Sequence, residues 1–158
     1  MLSPGEPAPD FESVDCSGKP LRLRDFRGRR VVLFFFPKAF SVGCTEEIRH
    51  FRDNQARIRR LGAELIGVSV DKFETQCAFA KQENVEFPLL GDSDRKLSNL
   101  FGVLWPLVRV DRRVTFLIGP TGLVEDVIKH ETRVYRHLDD ALAALERRSG
   151  GTGSPKGA

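Results

Sequence analysis

The segment Val31–Phe36 is apolar at every position, and it constrains the fold of this chain more than any other feature. A strand with one solvent-facing side alternates apolar and polar residues, whereas a strand covered on both faces is apolar throughout. The segment is also far too short to span a bilayer, which takes about 20 apolar residues. The sequence therefore predicts a central buried strand in a sheet that carries helices on both faces.

Further strands and helices are predicted from the apolar spacing on either side of this run. Helical spacing from Cys44 to Leu61 predicts one helix that ends at Gly62. Other predicted segments are strands at 11–14, 21–23, 65–70, 114–118 and 123–128, helices at 73–83 and 94–101, an extended segment at 87–90 and a final helix through Leu138 and Leu145. This order predicts an α/β fold with a central mixed sheet, helices on both faces and an N-terminal β-hairpin.

The length of 158 residues predicts a single domain over residues 1–149, large enough to bury a core without disulfides or metals. Residues 150–158 are rich in Gly, Ser and Pro, so we expect a disordered tail there. The 25 basic and 22 acidic side chains give a net charge of only +3. Nucleic-acid binding needs a concentrated basic face, so we expect no nucleic-acid partner.

The N-terminus lacks the basic start and apolar stretch of a secretory signal, and no run approaches a membrane span. We therefore expect no membrane association and a cytoplasmic location. The three cysteines are an odd number at irregular spacing, which does not indicate a secreted disulfide framework. Because Cys-x-x-Cys is absent, the sequence disfavours a dithiol reductase or a zinc site, and no metal or cofactor is expected.

Cys44 is placed where the buried strand stops and a helix begins. The first-turn N–H groups of a helix favour a thiolate, so the sequence predicts a lowered pKa for the thiol of Cys44. Gly43 lets the backbone approach a small ligand, Ser41 offers a hydroxyl, and Pro37 fixes the backbone without donating an N–H. The alternative is a buried cysteine at a helix start that merely packs.

The pattern Pro-x-x-x-Ser-x-x-Cys, formed by Pro37, Ser41 and Cys44, resembles the active-site signature of the peroxiredoxins of the AhpC/TSA family. The stretch from Gly43 to Asp53 resembles the subgroup called bacterioferritin comigratory protein or peroxiredoxin Q. Arg49 stands where many members of that subgroup carry a second, resolving cysteine, so their usual disulfide cannot form here. The resemblance implies a thioredoxin-like fold from about residue 3 to residue 147.

The resemblance also implies a thiol peroxidase that reduces hydrogen peroxide and organic hydroperoxides at Cys44 without a cofactor. Arg113 lies in Arg-x-Thr-Phe, where the family places an arginine against the peroxidatic cysteine; Arg112 is the fallback, and an exposed strand-end arginine is the alternative. Glu47 is predicted to orient that arginine through a bidentate pair. Its alternative role is a first-turn acid that complements the helix dipole.

The recycling route is left open by the sequence. Some relatives carry a resolving cysteine in the helix that contains Cys77, so we hypothesise a Cys44–Cys77 disulfide that is reduced by thioredoxin. The alternatives are a one-cysteine enzyme reduced by an external thiol or a glutaredoxin-like partner, and a non-catalytic thiol redox sensor. Cys16 lies in a predicted exposed turn and receives no role.

The three histidines, His50, His130 and His137, lack ligand-like spacing and are predicted to be surface or packing residues. The chain is expected to be a monomer or a homodimer, with Phe40 and Trp105 as candidates for a dimer contact.

Overall fold

The computed structural model describes residues 1–153, with side chains described through residue 149. The strands are β1 Glu12–Val14, β2 Pro20–Arg22, β3 Arg30–Phe35, β4 Ala63–Ser69, β5 Leu89–Gly91, β6 Val114–Ile118 and β7 Val124–Lys129. The α-helices are α1 Val42–Asp53, α2 Gln55–Arg60, α3 Phe73–Gln82, α4 Lys96–Phe101 and α5 Tyr135–Gly153. A short 3-10 helix, Leu23–Phe26, follows β2.

Five strands form a mixed sheet in the order β5-β4-β3-β6-β7. Strand β3 is parallel to β4 and antiparallel to β6, while β4 and β5 are parallel and β6 and β7 are antiparallel. Strands β1 and β2 form a separate antiparallel hairpin. The predicted mixed sheet and N-terminal hairpin are therefore confirmed.

The alternation along β3 explains why its segment is apolar at every position. Val32, Phe34 and Phe36 face one core, which they share with residues of α1, α2, α3 and α5. The intervening residues, Val31, Leu33 and Phe35, face a second core formed with the N-terminal hairpin region and α4. Burying both faces removes a large apolar area from water, and each Å² removed stabilises the fold by about 25 cal/mol.

The helix predicted from Cys44 to Leu61 is instead two helices, α1 and α2, separated at Asn54. Asn54 has φ −114° and ψ 11°, which is not helical. Its side-chain amide donates to the carbonyl of His50 at 2.9 Å, so it competes with the backbone for a helical acceptor. The prediction of one continuous helix is therefore wrong.

The other boundaries differ from the sequence-based ones by a few residues. The expected tail at 150–158 falls mainly outside the described residues; the backbone of α5 continues to Gly153, and residues 154–158 lie beyond them. Among residues 1–153, no helix combines the length and apolar character needed to cross a membrane.

The antiparallel register of β3 and β6 determines which residues meet at one end of the sheet. Phe35 is opposite Val114. The residue that precedes β6, Arg113, therefore lies beside the segment that follows β3 and leads to Cys44.

Candidate active site

The loop between β3 and α1 is held by the end of the neighbouring parallel strand. The backbone N–H of Ala39 donates to Asp71 Oδ2 at 2.7 Å, and the Ser69 hydroxyl donates to the same oxygen at 2.6 Å. Sequence reasoning missed Asp71. The available signal was its position just after β4, because the carboxyl ends of adjacent parallel strands meet at one edge of the sheet.

Phe40 adopts a strained backbone conformation two residues before α1. Its φ of 68° lies in the left-handed region, which is unfavourable for a bulky residue. Its ring packs against Phe79 of α3, with centroids 5.0 Å apart. This contact ties the loop that precedes Cys44 to the helix that carries Cys77.

Ser41 is the N-cap residue of α1, with extended backbone angles. Its carbonyl accepts hydrogen bonds from the backbone N–H of Thr45 at 2.8 Å and from the Thr45 hydroxyl at 2.7 Å. Its own hydroxyl donates to the carbonyl of Lys38 at 2.9 Å. Ser41 therefore fixes the start of the helix, with its hydroxyl close enough to Cys44 to lower the pKa of that thiol.

Cys44 is completely buried on the first turn of α1. Burial raises the pKa of the Cys44 thiol above its ordinary value, against the lowering effects of Ser41, the Lys38 backbone and Arg113. The negative charge of Glu47 raises it further. The prediction of a lowered pKa is therefore wrong for this structure, because desolvation outweighs the helix start and the nearby cation.

Arg113 and Glu47 form a buried ion pair beside Cys44. The Arg113 Nη1 donates to Glu47 Oε1 at 2.9 Å, and their side chains are 10% and 1% exposed. Burial raises the pKa of Glu47 to about 8, although Arg113 opposes this shift. The other carboxylate oxygen of Glu47 has no hydrogen-bond partner among the described residues. The guanidinium of Arg113 thus interacts with two acidic groups, the thiol of Cys44 and the carboxyl group of Glu47, in a desolvated site.

Gly43 provides the room that the Arg113 guanidinium occupies. A Cβ at position 43 would lie 2.9 Å from Arg113 Nη2, closer than real Cβ contacts. The glycine therefore permits the close approach of the cation to the first turn of α1.

Arg112, the alternative to Arg113 as the cation beside Cys44, contacts Trp105 instead. The guanidinium of Arg112 stacks on the ring of Trp105, 3.9 Å from its centroid. Such a contact is a cation–π interaction and explains the position of Arg112 without any role at the thiol. The structure brings Arg113, and not Arg112, to Cys44.

His137 lies behind the site, fully buried. Its Nδ1 is 2.8 Å from the Thr115 hydroxyl, and its Nε2 is 2.8 Å from the carbonyl of His130. Burial lowers the pKa of His137 to about 4, so the ring is neutral at pH 7. His130 in turn is 2.8 Å from Asp140 Oδ2, and His50 is exposed.

The cysteines are paired in a way that sequence reasoning missed. Cys16 and Cys77 form a disulfide with a Cα–Cα distance of 5.6 Å, across 61 residues of sequence. Cys44 is the free cysteine. The structure therefore joins the proposed resolving residue, Cys77, to the residue that was given no role. The signal in the sequence was only the presence of a third thiol.

Arg49, in the place of a second cysteine on α1, has a structural partner. Its Nε donates to Glu83 Oε1 at 2.6 Å. Arg52 Nη1 donates to the carbonyl of Glu83 at 2.8 Å. Glu83 is only 3% exposed and follows α3 directly. These contacts hold the C-terminal part of α1 against the C-terminal end of α3.

The fold and the site define a class of protein, in which a thioredoxin-like sheet presents one buried thiol near a guanidinium. The AhpC/TSA family matches residues 4–127 of the chain. Peroxiredoxin Bcp of Escherichia coli (strain K12) is 36% identical over 151 residues, which cover 92% of this chain and 96% of that protein.

Solved structures give the same assignment. Peroxidoxin BcpB from Mycobacterium tuberculosis has a TM-score of 0.86 and 36% identity, covering 93% of this chain and 98% of that one. The Xanthomonas campestris bacterioferritin comigratory protein has a TM-score of 0.81 and 28% identity, covering 88% of this chain and 92% of that one. The chain belongs to the AhpC/TSA family, in the subgroup of Bcp and peroxiredoxin Q proteins. It is a thiol-dependent peroxidase.

Proposed function

We propose that Cys44 is the nucleophile that reduces hydrogen peroxide and small organic hydroperoxides. The observation that carries this proposal is the placement of the free thiol on the first turn of α1, beside the buried Arg113–Glu47 pair. In the reaction, the Cys44 thiolate attacks one peroxide oxygen and the O–O bond breaks. Cys44 becomes a sulfenic acid, and the departing RO⁻ takes up a proton to leave as an alcohol or water.

Arg113 supplies the charge that makes this attack possible. In a desolvated site, one guanidinium offsets one negative charge well, and Cys44 and Glu47 compete for it. When Glu47 is protonated, the cation is available to a thiolate on Cys44. The pKa of Glu47, raised to about 8, favours a protonated Glu47 at neutral pH and so leaves the charge of Arg113 to Cys44.

The loop residues complete the pocket. In the proposed reaction, Ser41 and the backbone N–H groups at the start of α1 donate hydrogen bonds to the peroxide oxygens as charge moves onto the leaving group. For this the Ser41 hydroxyl exchanges its hydrogen bond to the carbonyl of Lys38 for one to the peroxide. Pro37, partly buried, offers no N–H and limits the access of water to the sulfenic acid. Glu47 is a positioning residue for Arg113.

The substrate range includes organic hydroperoxides as well as hydrogen peroxide. The Xanthomonas campestris relative is described with alkyl peroxide reduction activity. The exposed apolar residues nearest the site, Phe40 and Val42, would favour a substrate with an apolar group. We expect a small alkyl hydroperoxide to be accepted.

Recycling is proposed to use Cys77 and a dithiol reductant such as thioredoxin, in the cytoplasm, with the protein as a monomer or homodimer. Condensation of Cys77 with the Cys44 sulfenic acid releases water and forms a disulfide. Cys77 is two helix positions before Phe79, about 200° around the axis from the face that packs against the loop before Cys44. The start of α3 must therefore unwind for the two sulfurs to meet.

The second candidate is a one-cysteine peroxidase. It is favoured by one observation, the Cys16–Cys77 bond, which occupies the proposed resolving thiol. In that enzyme an external thiol would attack the Cys44 sulfenic acid directly.

A coupled assay separates the candidates. Cys44→Ser is expected to abolish peroxide consumption with any reductant. Cys77→Ser is expected to abolish turnover with a thioredoxin system while leaving the first reaction with peroxide intact. Full thioredoxin-dependent turnover of Cys77→Ser would exclude the internal disulfide, and residual peroxidase activity of Cys44→Ser would exclude Cys44 as the nucleophile.

A further inference from the structure

The structure contains one disulfide together with a reduced cysteine at the candidate active site. Cys16 and Cys77 are bonded to each other, while Cys44 is a free, buried thiol on the first turn of α1. Both α1 and α3 are formed from their first turns, at Val42 and Phe73. Oxidation of Cys77 is thus compatible with an intact peroxide site when its partner is Cys16.

We propose that Cys16 is a third redox cysteine, which takes over the disulfide from Cys44–Cys77 and presents it, as Cys16–Cys77, to an external dithiol. This inference rests on the proposed function, because Cys44 must first be oxidised by peroxide and resolved by Cys77. It adds a step and a site of reduction remote from the peroxide pocket.

The exchange balances in atoms and electrons. The Cys16 thiolate attacks the sulfur of Cys77, a new S–S bond forms, and the Cys44–Cys77 bond breaks. Cys44 leaves as a thiolate and takes up the proton that Cys16 gave up. No net oxidation occurs in this step, since one disulfide is exchanged for another. The external dithiol then supplies two electrons and two protons to Cys16–Cys77 and becomes a disulfide itself.

The direction of the exchange follows from the packing. A Cys44–Cys77 bond requires the starts of both helices to open, which would break the Phe40–Phe79 ring contact at 5.0 Å. It would also disturb the Ala39–Asp71 hydrogen bond at 2.7 Å. Transfer of the bond to Cys16 lets all of these contacts form again. Refolding of the two helix starts therefore favours the Cys16–Cys77 product.

The far ends of the two helices remain joined during this opening. Glu83, which follows α3, is held by Arg49 and Arg52 of α1. Local unwinding at the N-terminal ends can therefore occur without separation of the helices. This arrangement keeps Cys77 near the hairpin turn that carries Cys16.

Cys16 is better placed than Cys44 to meet a reductant. It is exposed in the turn between β1 and β2, whereas Cys44 is completely buried. The turn is rigid, because Asp15 Oδ1 accepts hydrogen bonds from the Ser17 backbone at 2.9 Å and from the Ser17 hydroxyl at 2.6 Å. A cleft of about 200 Å³ lies between Cys16 and a wall that includes Ala80, Phe87 and Pro88. An attacking thiolate can therefore approach Cys16 from solvent and expel Cys77.

The competing explanation is a structural disulfide that forms without Cys44. One experiment distinguishes the two explanations. Fully reduced protein is treated with one equivalent of hydrogen peroxide and quenched by alkylation, and its disulfides are then mapped by mass spectrometry. The relay predicts a Cys16–Cys77 linkage and an alkylated Cys44. In Cys44→Ser, it predicts that formation of the Cys16–Cys77 linkage slows by at least tenfold. Formation at the wild-type rate in that variant would overturn the relay.

Two further variants locate the intermediate. In Cys16→Ser the disulfide should stop at Cys44–Cys77, with turnover by a thioredoxin system reduced at least several-fold. In Cys77→Ser, Cys44 should remain a sulfenic acid while Cys16 is alkylated. Lys19→Ala is the matched control, because it shortens an exposed side chain of the same turn and leaves the three sulfurs and the hydrogen bonds of Ser17, and it should behave as wild type.

Undiminished turnover in Cys16→Ser would overturn the proposal, as would a wild-type protein that retains Cys44–Cys77. These failures differ from failure of the proposed function, in which the reduced wild-type protein would not consume the peroxide at all.

Discussion

Arg113 Nη1 donates to Glu47 Oε1 at 2.9 Å, and the charge of Arg113 also lowers the pKa of Cys44. Glu47 acts on Cys44 in the opposite direction, since its negative charge raises the pKa of the thiol. The carboxylate therefore has two effects, because it orients the guanidinium and also competes with the thiolate for it. The reactivity of Cys44 therefore depends on how the positive charge of Arg113 is divided between the thiol and the carboxyl group of Glu47.

Arg113→Gln is expected to raise the pKa of Cys44 further and to slow its reaction with hydrogen peroxide by about 100-fold or more, the scale of losing one charge-stabilising donor. The rate is measured by stopped flow, and the thiolate by its ultraviolet absorbance during a pH titration. Arg112→Gln is the control, since it removes the contact with Trp105 and leaves the field at Cys44. Equal rates for the two variants would contradict the assignment of Arg113.

Glu47→Gln is expected to lower the pKa of Cys44, because above about pH 8 Glu47 is ionised and its charge raises the pKa of the thiol. The rate with peroxide should nevertheless fall, because an amide holds the guanidinium less firmly than the carboxyl group of Glu47 does. The pH profile of the peroxide rate should therefore shift to lower pH with a reduced plateau. A shift to higher pH would mean that Glu47 acts only by positioning Arg113.

Gly43→Ala is expected to displace the Arg113 guanidinium, because the added Cβ would lie 2.9 Å from Nη2. The peroxide rate should fall by roughly tenfold, an energetic effect of about 1.4 kcal/mol, with little change in thermal stability. Val42→Ala, at a neighbouring position that is 80% exposed, is the control, with hydrogen peroxide as the substrate because it has no apolar group for Val42 to contact. An unchanged rate in Gly43→Ala would show that the close approach of the guanidinium is unimportant.

Asp111→Asn is expected to flatten the dependence of stability on pH. Asp111 is fully buried with neither carboxylate oxygen hydrogen-bonded among the described residues, and burial raises its pKa to about 7. The nearby Ser98 hydroxyl donates instead to Asp92 Oδ2 at 2.6 Å. In the folded state Asp111 thus keeps its proton up to about pH 7, whereas in the unfolded state it loses that proton above the ordinary pKa of an aspartate.

The wild type should consequently lose stability as pH rises from about 4 to 7, by roughly 2 to 4 kcal/mol from this group alone. Urea unfolding at pH 5 and pH 8 measures the difference for each protein. The difference between wild type and Asp111→Asn isolates this group, since Glu47 and His137 remain in both. Asp139→Asn, on the exposed face of α5, should retain the wild-type profile. A variant with the same pH dependence as wild type would contradict the burial argument.

The sequence predicted the architecture well where a local pattern determines burial. The apolar residues of β3 alternate between two cores, as a fully apolar run requires. The break at Asn54 was missed because it depends on one side-chain amide competing for a carbonyl, and apolar spacing does not reveal such a competition.

The site was predicted in its residue types but not in its energetics. Helix-start and charge arguments favour a low pKa for Cys44, yet the extent of desolvation depends on packing by distant segments. The link between Cys16 and Cys77 was missed for a similar reason, because 61 residues separate them and only the tertiary fold brings them together. Asp71 acts through a backbone contact that appears only once β3 and β4 lie side by side.

The central claim is that the buried thiol of Cys44 is the group that reacts with peroxide. The most direct test is a stopped-flow measurement of reduced protein mixed with hydrogen peroxide at pH 7, for wild type and for Cys44→Ser. The account predicts that wild type reacts at least 100-fold faster than free cysteine at the same pH, and that Cys44→Ser shows no fast phase. A wild-type rate no greater than that of free cysteine, or an undiminished fast phase in Cys44→Ser, would contradict it.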